Sequence, residues 1–127
     1  MKLTWSIAHD KKLVVVDIRS QLDPEEVRSL YAVLAAEGAL PYRKLVDASF
    51  APLTINVAAI GTISQLARAV APDVPRGPVA FVANSEVAHE MIQIFDHKMS
   101  IDRPLRIFRD TTSAMRWLDE IAPLGSP

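Results

Sequence analysis

The chain contains five short segments with the apolar pattern of β-strands. Residues 3–8 alternate apolar and polar side chains, which is typical of a half-buried edge strand. Residues 13–18 are apolar on both faces and rich in β-branched side chains, which favours a central strand. The polar stretch 9–12 between these two segments predicts an opening hairpin. The three later strands are predicted over residues 44–47, 79–83 and 105–109.

Other segments have the apolar spacing of helices. The first begins at Asp23-Pro24, because Asp23 can cap the helix and Pro24 fits its first position, and Gly38 ends it. A second helix, from Thr54 to about Val70, is rich in small residues, which predicts close packing against a neighbouring element.

Two more helices are predicted, one after Ser85 and one after Asp110. The apolar spacing of the last helix predicts four residues on its core side: Ala114, Trp117, Leu118 and Ile121. The resulting order is β-β-α-β-α-β-α-β-α, with a helix in every connection after the hairpin. Such connections make the later strands parallel, with right-handed crossovers. The sequence therefore predicts an α/β fold with about four helices and a mixed five-stranded sheet, antiparallel only in its first hairpin.

Composition agrees with one globular domain. The chain has 127 residues, of which half are apolar and 23% are charged, and this is enough to bury a core without cross-links. We predict one domain over residues 1–122 and a flexible tail over residues 123–127. The net charge of -1 argues against a nucleic-acid binder, because such proteins usually need a basic face.

The residue inventory also excludes several kinds of chemistry. The absence of cysteine excludes disulfides, thiol catalysis and thiolate metal sites. No apolar run approaches the ~20 residues that span a bilayer, and the amino terminus lacks a signal-peptide run. We therefore expect a cytoplasmic protein without an integral membrane segment.

The loop that follows the third strand is the best candidate site. In α/β sheets, ligands and partners meet the protein at the carboxyl ends of parallel strands. This loop offers Asp47, Ser49, Thr54 and Asn56. Two of them also have a structural interpretation, since Asp47 can satisfy N–H groups of its loop and Thr54 can be an ordinary helix cap.

The third predicted helix carries a weak metal-ligand pattern. Glu86 and His89 have the spacing that places two ligands on one helical face, but sites of this type need a second such motif, and the chain has none. A solvated face is the simpler interpretation. The sequence shows neither a nucleophile elbow nor a glycine-rich phosphate loop, so we predict no metal, no cofactor and no catalytic residue.

Several segments resemble a known superfamily. The element order, together with a strand that ends in Leu45-Val46-Asp47 before a loop and a small-residue helix, resembles the STAS or SpoIIAA-like superfamily of anti-sigma-factor antagonists. Four stretches also resemble the residue patterns of uncharacterised bacterial single-domain proteins of that type: Thr4-Trp5-Ser6-Ile7, Leu40 to Asp47, Gly77 to Ala80 and Arg106 to Asp110.

The resemblance implies a regulatory role. In the antagonists, a serine or threonine where the helix after this strand begins is phosphorylated by an anti-sigma kinase. The corresponding stretch here is Pro52 to Asn56, which lacks the family's Asp-Ser pair and glycine, and Thr54 is its nearest hydroxyl. STAS domains also resemble a lipid-binding fold, which implies an apolar ligand as a second role.

Three functional hypotheses result. The first is a non-enzymatic STAS-like module that binds an unidentified protein through Asp47, Ser49, Thr54 and Asn56. The second is a binder or sensor of a small apolar, lipid-like ligand, held between the third helix and the sheet near Phe81, Met91, Phe95 and Met99. An enzyme is the third, with Asp47, His89 and Glu90 as its acid or base groups. A homodimer through the small-residue helix or the edge of the first strand also stays open.

Overall fold

The computed structural model describes residues 3–19, 24–49, 65, 69–71, 73–83, 86, 90, 93 and 105–121. Their elements in chain order are β1 (Leu3–Ala8), β2 (Leu13–Ile18), α1 (Pro24–Ala36), β3 (Arg43–Asp47), β4 (Val79–Val82), β5 (Leu105–Phe108) and α2 (Thr111–Ile121). The positions described singly, 65, 86, 90 and 93, are helical, and all four fall in segments for which the sequence predicts a helix.

The strands form one five-stranded sheet in the order β1-β2-β3-β4-β5. β1 and β2 are antiparallel and pair along their whole length, from Leu3 opposite Ile18 to Ala8 opposite Leu13. Every other neighbouring pair is parallel. The predicted mixed sheet is therefore confirmed, with an antiparallel hairpin followed by parallel strands.

Each face of the sheet packs against one described helix. Val14, Val16 and Val46 lie on the face covered by α1, together with Leu30 and Leu34 of that helix. The alternate residues of each strand lie on the face covered by α2, where Leu45 packs with Ala80 and Val82 and with two helical residues, Ala114 and Leu118. Because side chains alternate along a strand, paired positions on neighbouring strands share a face.

Helix α1 ends at the predicted glycine. Gly38 has a φ of 71°, which a residue with a Cβ adopts only at a cost. The Gly38 N–H donates to Ala35 O at 3.2 Å and the Ala39 N–H donates to Leu34 O at 2.8 Å. These two bonds form a Schellman motif, and its usual apolar contact is available between the buried residues Leu34 and Ala39.

Helix α2 begins at an aspartate cap. Asp110 Oδ1 accepts a hydrogen bond from the Ser113 N–H at 2.7 Å, and Oδ2 accepts one from the Ser113 hydroxyl at 3.2 Å. These bonds, the backbone one first, lower the pKa of the Asp110 carboxyl from its ordinary value of 3.8. The sequence also predicted that Ile121 lies on the core side of this helix. That was wrong, because Ile121 is 40% exposed in the last turn, beyond the sheet-facing residues Ala114 and Leu118.

We call the end of the sheet at which β2 to β5 begin the amino edge, and the end at which they finish the carboxyl edge. Buried cations close the amino edge. Arg43 Nη2 donates to Lys11 O at 2.8 Å and its Nη1 donates to Asp119 Oδ1 at 3.0 Å. These contacts tie the β1–β2 turn, the start of β3 and the end of α2 together.

Two more buried cations bind loop carbonyls at the same edge. Lys44 Nζ donates to Leu40 O at 2.5 Å and to Tyr42 O at 2.9 Å. Arg76 donates to three carbonyl groups, those of Val70, Ala71 and Val74, and its guanidinium carbon lies 5.8 Å from the centre of the Tyr31 ring. Since buried carbonyls need donors, these side chains hold the loops in place.

Candidate functional site

Asp47 ends β3 and turns the chain out of the sheet at the carboxyl edge. Its Oδ1 accepts a hydrogen bond from the Ser49 N–H at 3.0 Å. This is an Asx turn, in which an aspartate mimics a backbone turn. The Ala48 N–H donates to Val82 O at 2.8 Å, so the first residue of the loop is also bound to β4. The direction in which the chain leaves β3 is therefore fixed.

Asp17 lies beside Asp47. The two are register partners at the last pair of the parallel ladder between β2 and β3, and neighbouring strands are about 4.8 Å apart. Like charges at such positions are destabilising, and Arg19 offsets this because its Nε donates to Asp17 Oδ2 at 2.7 Å. Asp17 Oδ1 is shielded from solvent and has no hydrogen-bond partner among the described residues.

The register partners that run across the strands through Asp17 and Asp47 form a row that changes from polar to apolar. Thr4 pairs with Asp17 in register and is exposed, whereas Val82 and Phe108, which continue the row beyond Asp47, lie in the apolar cluster under α2. The polar part of the row is therefore the part that α2 does not cover. It presents two carboxylates and one guanidinium at a partly accessible position.

The strand order has a consequence for ligand binding. In open α/β sheets, the ligand crevice forms where the strand order reverses, because the adjacent loops there lead to opposite faces. The order here follows the chain from β1 to β5 without a reversal. The described sheet therefore contains no such reversal point.

Only some of the predicted site residues can be placed. Asp47 and Ser49 come together in the Asx turn. Phe81 lies on the α1 face of the sheet, where it is partly buried against the core. The contacts of the predicted interaction loop and of the predicted apolar pocket stay predictions, because their remaining positions fall outside the described residues. These positions are Thr54, Asn56, Met91, Phe95 and Met99.

Only part of the metal-ligand pattern of the third predicted helix lies in the described residues. Glu86 is exposed and accepts a hydrogen bond from Arg109 Nη2 at 3.4 Å, and Glu90 is an exposed helical position. His89 lies outside the described range. In the part of the chain that the structure describes, no three histidine, cysteine, aspartate or glutamate side chains come close enough to hold a metal ion.

Sequence reasoning missed Asp17 as a site residue. The signal was present, because Val15-Val16-Asp17 in β2 repeats the pattern of Leu45-Val46-Asp47 in β3, two aliphatic residues followed by an aspartate. Parallel pairing aligns these two triplets residue for residue. Comparing the ends of consecutive predicted strands would have placed both aspartates at one edge.

The architecture resembles a solved structure. Over 91% of this chain and 93% of the other, it matches the crystal structure of an uncharacterised DUF3478-family protein with a SpoIIAA-like fold from Shewanella loihica PV-4, with a TM-score of 0.64. The chain has a SpoIIAA-like fold. This confirms the fold class expected from the sequence, and at 14% identity the likeness concerns the fold alone.

Other comparisons add no family. No family model matches the chain, and none of the curated proteins does. Within the described ranges, no helix of this SpoIIAA-like domain is both long enough and apolar enough to cross a membrane.

Proposed function

We propose that this SpoIIAA-like domain is a non-enzymatic regulatory module that binds another protein through its carboxyl edge. The contact surface consists of Asp17, Asp47 and Ser49 together with Thr54 and Asn56 of the following segment. The observation that carries the proposal is the Asp47–Ser49 turn, which fixes the exit of β3 next to a second carboxylate. A loop held in one conformation by its own scaffold costs little entropy when it binds.

The charges of this surface favour a partner with basic side chains. Asp17 and Asp47 are adjacent acids, and the side chain of Asp17 keeps 29% of its surface exposed even though Arg19 binds it. The exposed part of Asp17 and the adjacent carboxylate of Asp47 would accept hydrogen bonds from a guanidinium or ammonium group of a partner. Complementary charge of this kind contributes specificity and association rate.

Two features favour binding over catalysis. The described sheet has no reversal of strand order, the point at which open α/β sheets form their ligand crevice. Asp47 Oδ1 is already engaged by the Ser49 N–H, an arrangement suited to shaping a loop. A surface that recognises a macromolecule requires neither a deep pocket nor a free acid.

The test compares partner capture by surface variants. Full-length protein with Thr54→Glu, Thr54→Ala or Asp17→Asn is immobilised, and proteins retained from a host lysate are quantified by mass spectrometry. Ser6→Ala is the matched control, because Ser6 is exposed on the face of the sheet that carries Asp17 but lies away from the carboxyl edge.

The proposal predicts one partner that the wild type and Ser6→Ala retain equally and that Thr54→Glu and Asp17→Asn lose. Its affinity, measured with purified components, should fall at least about tenfold in Asp17→Asn, as expected for loss of a charged contact. If every retained protein binds all variants equally, the carboxyl edge is not the contact surface.

A further inference from the structure

Three side chains that are far apart in sequence form a hydrogen-bonded chain at the amino edge. His9 lies in the β1–β2 turn, Glu37 follows the last residue of α1, and Tyr42 immediately precedes β3. His9 Nδ1 lies 2.8 Å from the Tyr42 hydroxyl oxygen, and His9 Nε2 lies 2.9 Å from Glu37 Oε1. The order Glu-His-Tyr is that of an orienting acid, a base and a hydroxyl nucleophile.

Glu37 determines which nitrogen of the neutral His9 ring carries the proton. A carboxylate only accepts hydrogen bonds, so Nε2 must donate to it and bear the hydrogen. Nδ1 is then left with a lone pair, and the hydroxyl group of Tyr42 is the group beside it. The phenol therefore donates to Nδ1, in the geometry through which a base removes a proton from a nucleophile.

The protein holds the Tyr42 ring in position. Its side chain is half-buried against the core cluster of the α1 face, and it meets the His9 ring edge-on, with the centroids 5.5 Å apart and the planes at 81°. The Tyr42 backbone is bound on both sides, since its N–H donates to Ala39 O and its carbonyl accepts from Lys44 Nζ. This fixed ring keeps the hydroxyl group directed at the imidazole while His9 and Glu37 remain accessible, at 49% and 51% exposure.

We infer that Tyr42 is a base-activated phenol and a covalent modification site for activated acyl groups. The Tyr42 oxygen forms a bond to the carbonyl carbon of an activated ester, and the phenolic proton passes to His9 Nδ1. The bond between the carbonyl carbon and the leaving oxygen then breaks, and the proton on His9 passes to the departing alkoxide or phenoxide. The products are O-acyl-Tyr42 and the free alcohol or phenol, with no oxidant or cofactor consumed.

The chain offers an internal standard for this reaction. It contains two tyrosines, and the other, Tyr31, is 8% exposed with its ring under the Arg76 guanidinium. Tyr31 is therefore the inert reference in every sample. This site lies at the opposite edge from the proposed protein-binding surface, so failure of either proposal leaves the other intact.

The experiment treats the full chain with p-nitrophenyl acetate and follows acetylation of each tyrosine by peptide mapping. Release of the acetyl group by hydroxylamine identifies the tyrosine ester and separates it from acetylated lysine. The wild type is compared with His9→Phe, His9→Gln and Glu37→Gln. Glu25→Gln is the matched control, because Glu25 is an exposed carboxylate of α1 that pairs with Arg28 and not with His9.

We expect the acetylation of Tyr42 to be roughly 10- to 100-fold slower in both His9 variants. General base catalysis contributes more than this in enclosed sites, but the hydrogen-bonded chain of Glu37, His9 and Tyr42 is half-exposed, so we expect an effect at or below the lower end of its range, about 100-fold. Glu37→Gln should give an intermediate rate and Glu25→Gln the wild-type rate. The wild-type reaction should also be slower in D2O, whereas the residual reaction of His9→Phe should not.

A different result is expected if the hydrogen bonds of His9 to Glu37 and Tyr42 only stabilise the fold. Tyr42 would then react at the wild-type rate, or faster through greater exposure, in the His9 variants, and the D2O effect would be the same in all proteins. Either outcome overturns the inference. Thermal unfolding of each variant shows that the rates are compared between folded proteins, and exposure of His9 in a turn makes its replacement tolerable.

Discussion

The two ends of the sheet use charged side chains in opposite ways. At the amino edge, Arg43, Lys44 and Arg76 are buried and donate to backbone carbonyl groups of the surrounding loops. At the carboxyl edge, Asp17 and Asp47 lie side by side at partly accessible positions. The first arrangement stabilises the fold, because each cation satisfies groups that would otherwise be buried without partners. The second leaves carboxylate groups available for recognition.

This difference predicts where substitutions affect stability and where they affect binding. Buried cations at the amino edge contribute folding free energy directly. Residues at the carboxyl edge contribute little to folding, so they can be replaced with modest losses.

Gly77→Ala should produce the largest loss of stability. A Cβ atom at this position would lie 2.2 Å from Tyr42 O and 2.3 Å from Pro41 O, both backbone atoms that cannot move aside cheaply. We expect a loss of about 3 kcal/mol or more in the free energy of unfolding, measured by urea denaturation. Gly38→Ala is the control, since its Cβ would meet open space and its positive φ costs only about 1–2 kcal/mol. Equal losses in the two variants would contradict this packing argument.

Arg43→Met should cost about 2–3 kcal/mol, because the carbonyl of Lys11 loses a charged donor at a partly buried position and the exposed carboxylate of Asp119 loses its ion pair. Methionine keeps most of the side-chain volume, so the loss reports the hydrogen bonds. Arg28→Met is the matched control, because the Arg28 side chain is 54% exposed and its ion pair is worth at most about 1 kcal/mol. If both variants unfold at the same urea concentration, the buried Arg43 side chain does not stabilise the amino edge.

Asp47→Ala should cost only about 1 kcal/mol, the net value of the hydrogen bond from the Ser49 N–H. Asp47→Asn is the informative companion, because its amide oxygen can still accept that bond. Urea denaturation should therefore give near wild-type stability for the asparagine variant. A loss as large as that of Arg43→Met would mean that the carboxyl edge is as structural as the amino edge.

The smallest effect is a pH dependence at the cap of α2. The pKa of Asp110 is lowered in the folded protein by the Ser113 bonds, so the unfolded state binds the proton more tightly. The cap therefore contributes its full stability above the ordinary pKa of 3.8 and loses it as pH falls through the lower folded value. Melting temperatures of the wild type and Asp110→Asn should converge as pH falls through this window. Parallel curves would contradict the assignment.

Sequence reasoning was strongest where the deciding information is local. The bounds of β1 and β2, the proline at the start of α1 and the glycine after its end all follow from residue spacing and caps. Asp47 was correctly placed at the end of a strand, and its loop-stabilising role was one of the two interpretations open. The contacts of Thr54 and of the predicted apolar pocket stay predictions.

Sequence reasoning was weakest where distant segments meet. Nothing in the sequence indicates that His9 contacts Glu37 and Tyr42, which are 28 and 33 positions away. The exposure of Ile121 was also missed, because helical periodicity identifies an apolar stripe but not how far the sheet extends beneath it. Both outcomes depend on the relative placement of elements.

Local sequence signals were enough to predict the five strands, the caps at Gly38 and Asp110, the antiparallel hairpin and the parallel direction of the later strands. These depend on interactions within a few residues and on the handedness of crossovers. Which polar side chains share an edge depends on the tertiary fold, because strand register and helix packing set those distances. Asp17 therefore meets Asp47, and His9 joins Glu37 to Tyr42, through pairings that no local pattern specifies.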